Sequence, residues 1–142
     1  MSTTTNSEKL KSEWLDRLDG LVNQVAEWAQ EEDWSTKRIE TRLKSPSIGQ
    51  YSAPALVMQK ETVKVLLEPI THSAPGADGV VDLYLMPGLD DIASFYHSDD
   101  GWMTHYMSPN SPTVQKIREA TAKPLTKETL SNILKEMSRN GS

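Results

Sequence analysis

The chain contains no cysteine, so disulfides, thiolate nucleophiles and cysteine-ligated zinc are excluded. No apolar stretch approaches the roughly 18 residues of a membrane span. Residues 1–6 carry neither the basic nor the apolar region of a secretory signal, so we expect a cytoplasmic protein that does not contact membranes. Glycine-rich phosphate loops and Gly-x-Ser-x-Gly motifs are also missing, which leaves nucleotide binding and serine catalysis without support. No cofactor is expected.

Lysine and arginine are absent from the 51 residues between Lys64 and Lys116. This interval holds all three histidines and seven acids in a chain whose net charge is −5. The acids are Glu68, Asp78, Asp82, Asp90, Asp91, Asp99 and Asp100. A surface of this sign repels phosphate backbones and attracts cations or basic protein segments. We therefore expect no nucleic acid as a partner, but a basic or amphipathic segment of another protein.

Hydrophobic periodicity predicts helices at both ends of the chain. Apolar residues spaced by three and four indicate an amphipathic helix from Ser7 to Glu31, where Gly20 either bends the helix or admits a close neighbour. A second, short helix is predicted from Thr36 to Lys44, followed by a loop over 47–54. The last helix begins after Thr126, which has the features of an N-cap.

The middle of the chain predicts an antiparallel meander of four or five strands. Asp78-Gly79 signals a hairpin that leads into a strand from Val80 to Met86. Asp82 lies inside that strand and is expected to point toward solvent together with Tyr84; an inward Asp82 would be the first residue to suspect of function. The segment 108–123 fits either a short helix or an edge strand.

The hairpin around Ser98 and Gly101 has two possible registers. A three-residue loop places His97 and His105 on one face, within reach of a common ligand, and Asp99 or Asp100 could complete a metal site. A two-residue loop shifts the register and separates the two imidazoles. The simpler alternative is that both are ordinary surface histidines.

Aromatic composition points to a possible interaction surface. Four Trp and four Tyr accompany a single Phe, a mixture enriched at protein interfaces. With the three-residue loop, Tyr96, Trp102 and Tyr106 share one face of the hairpin, which is either an exposed aromatic patch or the core. Together with Asp82 and Tyr84 they form the candidate binding surface. No catalytic residue is assigned.

Taken together, these patterns predict a single α+β domain over residues 1–142, with disordered tails at 1–6 and 139–142. The long helix, short helix and meander are followed by a C-terminal helix that packs on one face of the sheet. This order, the small size and the acidic balance resemble the class I chaperones of bacterial type III secretion. The resemblance is one of architecture, and it implies a protein that works by contact, as a homodimer.

The sequence therefore predicts a small acidic, non-enzymatic interaction module, chaperone-like or adaptor-like. The alternative is a small metal-dependent enzyme or metal sensor that uses His97, His105 and the neighbouring aspartates.

Overall fold

The computed structural model describes residues 3–88, 92–99, 101–106 and 122–140, with side chains from Ser7 to Arg139 within these ranges. The elements are α1 (Thr3–Glu31), β1 (Ser35–Ser45), β2 (Gly49–Lys60), β3 (Val63–Thr71), β4 (Val80–Met86), β5 (Ile92–Ser98), β6 (Gly101–Tyr106), β7 (Lys123–Pro124) and α2 (Lys127–Asn140). The strands form one antiparallel sheet in sequence order. The predicted α+β class is correct, but the sheet has seven strands rather than four or five.

The short helix predicted from Thr36 to Lys44 is wrong, because this segment is strand β1. Each residue from Ser35 to Ser45 has a partner in β2. Ile39 and Leu43, the apolar pair behind the helical prediction, are four residues apart, a spacing that also places two side chains on the same face of a strand. Cross-strand pairing with β2 decides between the two periods.

The loop predicted over 47–54 is also wrong, since β2 begins at Gly49. Gly49 has a φ of +87°, a left-handed conformation that favours glycine at the end of this tight turn. Pro54 lies inside β2, opposite Glu40. The ladder between β2 and β3 starts only at Leu56, so Pro54 occupies a stretch of β2 that is free on the β3 side, where a missing amide hydrogen is tolerated.

Both helices bury their apolar stripes against one face of the sheet. The core contains Trp14, Leu18 and Val25 of α1, Val65, Leu67, Leu83 and Phe95 of the strands, and Leu130, Leu134 and Met137 of α2. Trp14 donates from Nε1 to the hydroxyl of Tyr51 over 3.0 Å inside this core. A Cβ at Gly79 would overlap the ring of Trp14, so only glycine allows this approach.

Helix ends follow the predictions in part. The Thr126 hydroxyl accepts a hydrogen bond from the Thr129 amide at 3.1 Å, which confirms Thr126 as the N-cap of α2. Helix α1 begins at Thr3 rather than at Ser7, whose hydroxyl donates instead to the Ser47 carbonyl. Gly20 is exposed, and a Cβ there would meet nothing within 4 Å, so no close neighbour explains it.

The connection between β3 and β4 differs from the predicted Asp78-Gly79 hairpin. Ala74 and Ala77 exchange two backbone hydrogen bonds and close the turn three residues earlier. The Asp78 amide donates instead to the His97 carbonyl of β5 at 2.8 Å. The strand from Val80 to Met86 is confirmed.

Most of the predicted segment 108–123 lies outside the described residues; its last residue opens β7, which pairs with β6. Neither described helix combines the length and the apolar character that crossing a membrane requires.

Candidate functional site on the outer sheet face

Strands β3 to β6 alternate between a buried inner face and a second face that we call the outer face. Its side chains are Leu66, Glu68, Val80, Asp82, Tyr84, Ile92, Ser94, Tyr96, Met103 and His105. Most are half-buried, while His105 and Ile92 are exposed, Ile92 to 43 %. Because α1 and α2 pack on the inner face, neither described helix covers this one.

Three rows cross the outer face at right angles to the strands. The central row is polar: Glu68 lies opposite Asp82, Asp82 opposite Ser94, and Ser94 opposite His105. One neighbouring row contains Leu66, Tyr84 and Ile92, and the other contains Val80, Tyr96 and Met103. Rows on one face lie two residues apart along each strand, or about 7 Å. A narrow polar band therefore runs between two apolar and aromatic bands.

Asp82 is the hydrogen-bonding centre of the polar row. Ser94 donates from Oγ to Asp82 Oδ1 over 3.0 Å, and the Tyr84 hydroxyl donates to Oδ2 over 3.4 Å. Each carboxylate oxygen thus accepts one hydroxyl hydrogen. Both donors are neutral, so they orient the carboxylate without cancelling its charge.

The electrostatic environment of Asp82 and of the neighbouring Tyr84 disfavours negative charge. Burial raises the pKa of Asp82, and the hydrogen bonds from Ser94 and Tyr84 only partly oppose the shift. Burial, followed by the charges of Asp82 and Glu68, raises the pKa of Tyr84 to about 12. Glu68 stands directly across from Asp82, a like-charge arrangement that destabilises a sheet.

Within the described part of the chain, none of the ion pairs neutralises the polar row. The three that the structure contains join Arg38 to Asp19, Lys127 to Glu31 and Arg139 to Glu136. Lys64 shares the outer face but stands opposite Met86, two rows from Glu68, at a separation of about 13 Å along β3. Lys116 and Arg118 lie outside the described residues.

The predicted binding surface is divided between two faces. Asp82, Tyr84 and Tyr96 lie on the outer face, with Asp82 and Tyr84 side by side as expected. Trp102 and Tyr106 point to the inner face and pack against the core. The expectation that they share a face with Tyr96 is wrong, because Ser98 pairs with Gly101 and the loop has two residues. Trp102 instead lines a groove of about 420 Å³ beside α1.

The same register separates the histidines of the metal hypothesis. His97 pairs with Trp102 on the inner side, while His105 lies on the outer face opposite Ser94. Asp99 is exposed in the turn, and Asp100 lies outside the described residues. Among the residues with a described structure, no group of three or more His, Asp or Glu side chains could hold a metal ion.

His97 occupies an unusual position between β4 and β6. Its ring meets Trp102 edge to face at a centroid distance of 5.2 Å. Its Nδ1 atom is buried and has no hydrogen-bond partner within the described ranges. Burial, and then the charge of Arg17, lowers the pKa of His97, although Asp78 and Asp99 act in the opposite direction. Burial therefore favours the neutral imidazole, and the contact with Trp102 holds its ring in place.

Sequence reasoning missed the opposition of Glu68 and Asp82 and the bond from Ser94. The sequence shows that Glu68 and Asp82 are acids and that Ser94 belongs to a strand. It does not show that the three residues are neighbours, because this depends on the registers of two strand pairs. A correct pairing of β3 with β4 would have revealed it.

No protein-family model, no curated protein and no solved structure matches this chain. A functional proposal therefore rests on the residues of the chain itself.

Proposed function

We propose that the outer face receives a basic, amphipathic segment of another protein, and that the chain works as a non-enzymatic interaction module of the chaperone or adaptor kind. The observation that carries this proposal is the Glu68–Asp82 pair. These two acids are cross-strand partners on a face that neither described helix covers, and no described cation forms an ion pair with them.

A bound cation would relieve the strain in this pair. A lysine or arginine placed over the central row can interact with both carboxylates, so that one added charge offsets their repulsion with two attractions. Partial burial of Asp82 raises its pKa, and contact with a cation would lower it again. The free protein thus holds a costly arrangement that a partner of opposite charge stabilises.

The flanking rows define what surrounds that cation. Leu66 and Ile92 lie on one side of the polar row, and Val80 and Met103 on the other. In an extended segment, side chains two residues apart lie on the same side at a distance close to the spacing between the rows. The best fit is therefore an arginine or lysine with an apolar residue two positions before it and another two positions after it.

Fluorescence anisotropy with defined peptides tests the proposal. The probe is a labelled ten-residue peptide with a central arginine and leucines two positions away on each side; a second peptide carries glutamate in place of the arginine. We expect only the arginine peptide to bind, and its affinity to fall as salt is added.

Substitutions locate the binding on the protein. The double variant Glu68→Gln, Asp82→Asn should weaken binding of the arginine peptide at least tenfold, whereas Glu27→Gln, an exposed acid on α1, should leave it unchanged. Equal binding of both peptides, or equal loss in the Glu27 variant, would contradict the proposal.

The metal hypothesis gains no supporting observation, since His97 and His105 lie on opposite sides of the sheet.

A further inference from the structure

Strand β1 forms one edge of the sheet that the structure describes. It is the first strand in the sheet order, and its eleven residues pair only with β2 among the strands that the structure describes. Such an edge presents a row of backbone donors and acceptors that another strand can pair with. Side chains along β1 alternate between exposed and half-buried from Ile39 to Ser45, so this stretch is a regular strand over the length that pairing requires.

The middle of β1 is complementary to itself. Residues 39–43 read Ile-Glu-Thr-Arg-Leu. If two copies align antiparallel about Thr41, Glu40 of each copy lies opposite Arg42 of the other, and Ile39 lies opposite Leu43. Twofold symmetry makes each of these contacts twice. The central five residue pairs thus comprise two ion pairs, two apolar pairs and one threonine pair.

We infer that two copies of this chain pair through β1 in this register and continue the sheet from one copy into the other. Opposite charges and apolar residues that face each other across strands stabilise such a ladder. Glu40 and Arg42 are exposed in the single chain and take part in none of the ion pairs among the described residues, so both can form the new pairs. This inference does not depend on the function proposed for the outer face.

The remaining charges of β1 favour this register over the two whose centre lies two residues away. A shift of the centre to Leu43 would place Arg42 opposite Lys44 twice. A shift to Ile39 would pair Glu40 with Arg38, which already binds Asp19 of its own helix, and would leave Arg42 unpaired. In the register about Thr41, Lys44 faces Arg38, whose charge the Asp19 carboxylate offsets.

A charge-swap experiment tests this inference on the full chain. Sedimentation equilibrium should show a dimer for the unmodified protein. Glu40→Arg places two arginines opposite each other at both sites, and Arg42→Glu places two glutamates there, so each single variant should associate at least tenfold more weakly. An equimolar mixture of the two variants should dimerise again, because both sites then regain opposite charges, and the double variant should also dimerise.

Circular dichroism of each variant confirms that it is folded, which is expected because both positions are exposed. A monomeric unmodified protein overturns the inference. So do single variants that dimerise as well as the unmodified protein, since the copies would then meet through another surface. A mixture that stays monomeric while the single variants are folded overturns it as well.

Discussion

Replacing Asp82 with asparagine should stabilise the free protein at neutral pH. Asparagine has nearly the same shape, retains one oxygen as an acceptor for Ser94 and places its amide beside the Tyr84 hydroxyl, which can accept an amide hydrogen. Burial raises the pKa of Asp82 despite its two hydrogen bonds, so the site as a whole disfavours the charged form. A neutral isostere removes that cost.

The size of the effect follows from Coulomb's law. Side chains directly opposite each other have Cβ atoms about 5 Å apart, and two unit charges at that separation would repel by about 3 kcal/mol at an effective dielectric constant of about 20. This figure is an upper bound, because burial and not the charge of Glu68 raises the pKa of Asp82. Solvent reaches the half-buried pair from the open side and screens it further, which leaves about 1 kcal/mol. For a chain of this length, that corresponds to a rise in Tm of roughly 3 °C.

The pH dependence has a defined sign. Because the pKa of Asp82 is raised on folding, the folded protein binds this proton more tightly than the unfolded chain does. The free energy of unfolding of the unmodified protein therefore falls as Asp82 ionises, when pH rises above about 4, the usual range of an aspartate pKa. Asp82→Asn lacks this loss, so its advantage should be largest at neutral pH and should vanish at about pH 3 or below.

Urea unfolding of the unmodified protein, Asp82→Asn and the control Glu27→Gln across this pH range measures the difference. A destabilised Asp82→Asn protein at neutral pH, or an advantage that does not change with pH, would refute the reasoning. If Asp82→Asn stabilises the protein and also weakens peptide binding, the charge at Asp82 is retained for function rather than for folding.

Three further predictions concern the core and its margins. Gly79→Ala should lower the free energy of unfolding by about 2 kcal/mol or more, because the added Cβ would overlap the Trp14 ring. Gly20→Ala should raise the free energy of unfolding by about 1 kcal/mol, because Gly20 occupies an open position in a helix. Urea unfolding midpoints of the two variants should therefore shift in opposite directions. Tyr51→Phe should lower the free energy of unfolding by about 1–3 kcal/mol, because the Trp14 Nε1 hydrogen would be buried without an acceptor. An unchanged Tm in calorimetric unfolding would contradict this prediction. Because the pKa of His97 is lowered on folding, the unfolded chain binds this proton at a higher pH than the folded protein does. The free energy of unfolding should therefore fall as pH drops below about 6.5. In His97→Gln, urea midpoints should lack this part of the pH dependence.

Long periodic segments explain why much of the fold is predictable from the sequence. Helix α1 shows five turns of apolar residues at helical spacing, and Thr126 caps α2 with the residue type that the position favours. Strand β4 alternates strictly, and Asp82 and Tyr84 accordingly lie on the face predicted for them.

Strands β1 and β2 show where local patterns are insufficient. Ile39 and Leu43 satisfy both the helical and the strand period, and only the partner strand distinguishes between them. Gly49 and Pro54 read as loop residues, yet one enters a strand from a tight turn and the other occupies a stretch without a neighbour on the β3 side. These outcomes depend on contacts between distant segments.

The prediction of the candidate site depended on whether the loop after Ser98 has two or three residues. The length of the loop after Ser98 decides which face Trp102 and His105 occupy, and both lengths agree with the sequence. The pairing of Glu68 with Asp82 depends in the same way on the register between β3 and β4. Charge composition indicated an acidic region, whereas the position of Glu68 opposite Asp82 required the register of the sheet.

Photo-crosslinking in living cells tests most directly whether the outer face receives a basic segment. A benzophenone amino acid at Ile92, which is exposed beside the polar row, should crosslink to protein segments that carry arginine or lysine with apolar residues two positions away. The crosslinks should disappear in the Glu68→Gln, Asp82→Asn background, and the same label at Glu27 should not form them. Crosslinks from Ile92 that persist without the two carboxylates, or that reach segments without a basic residue, would contradict the account.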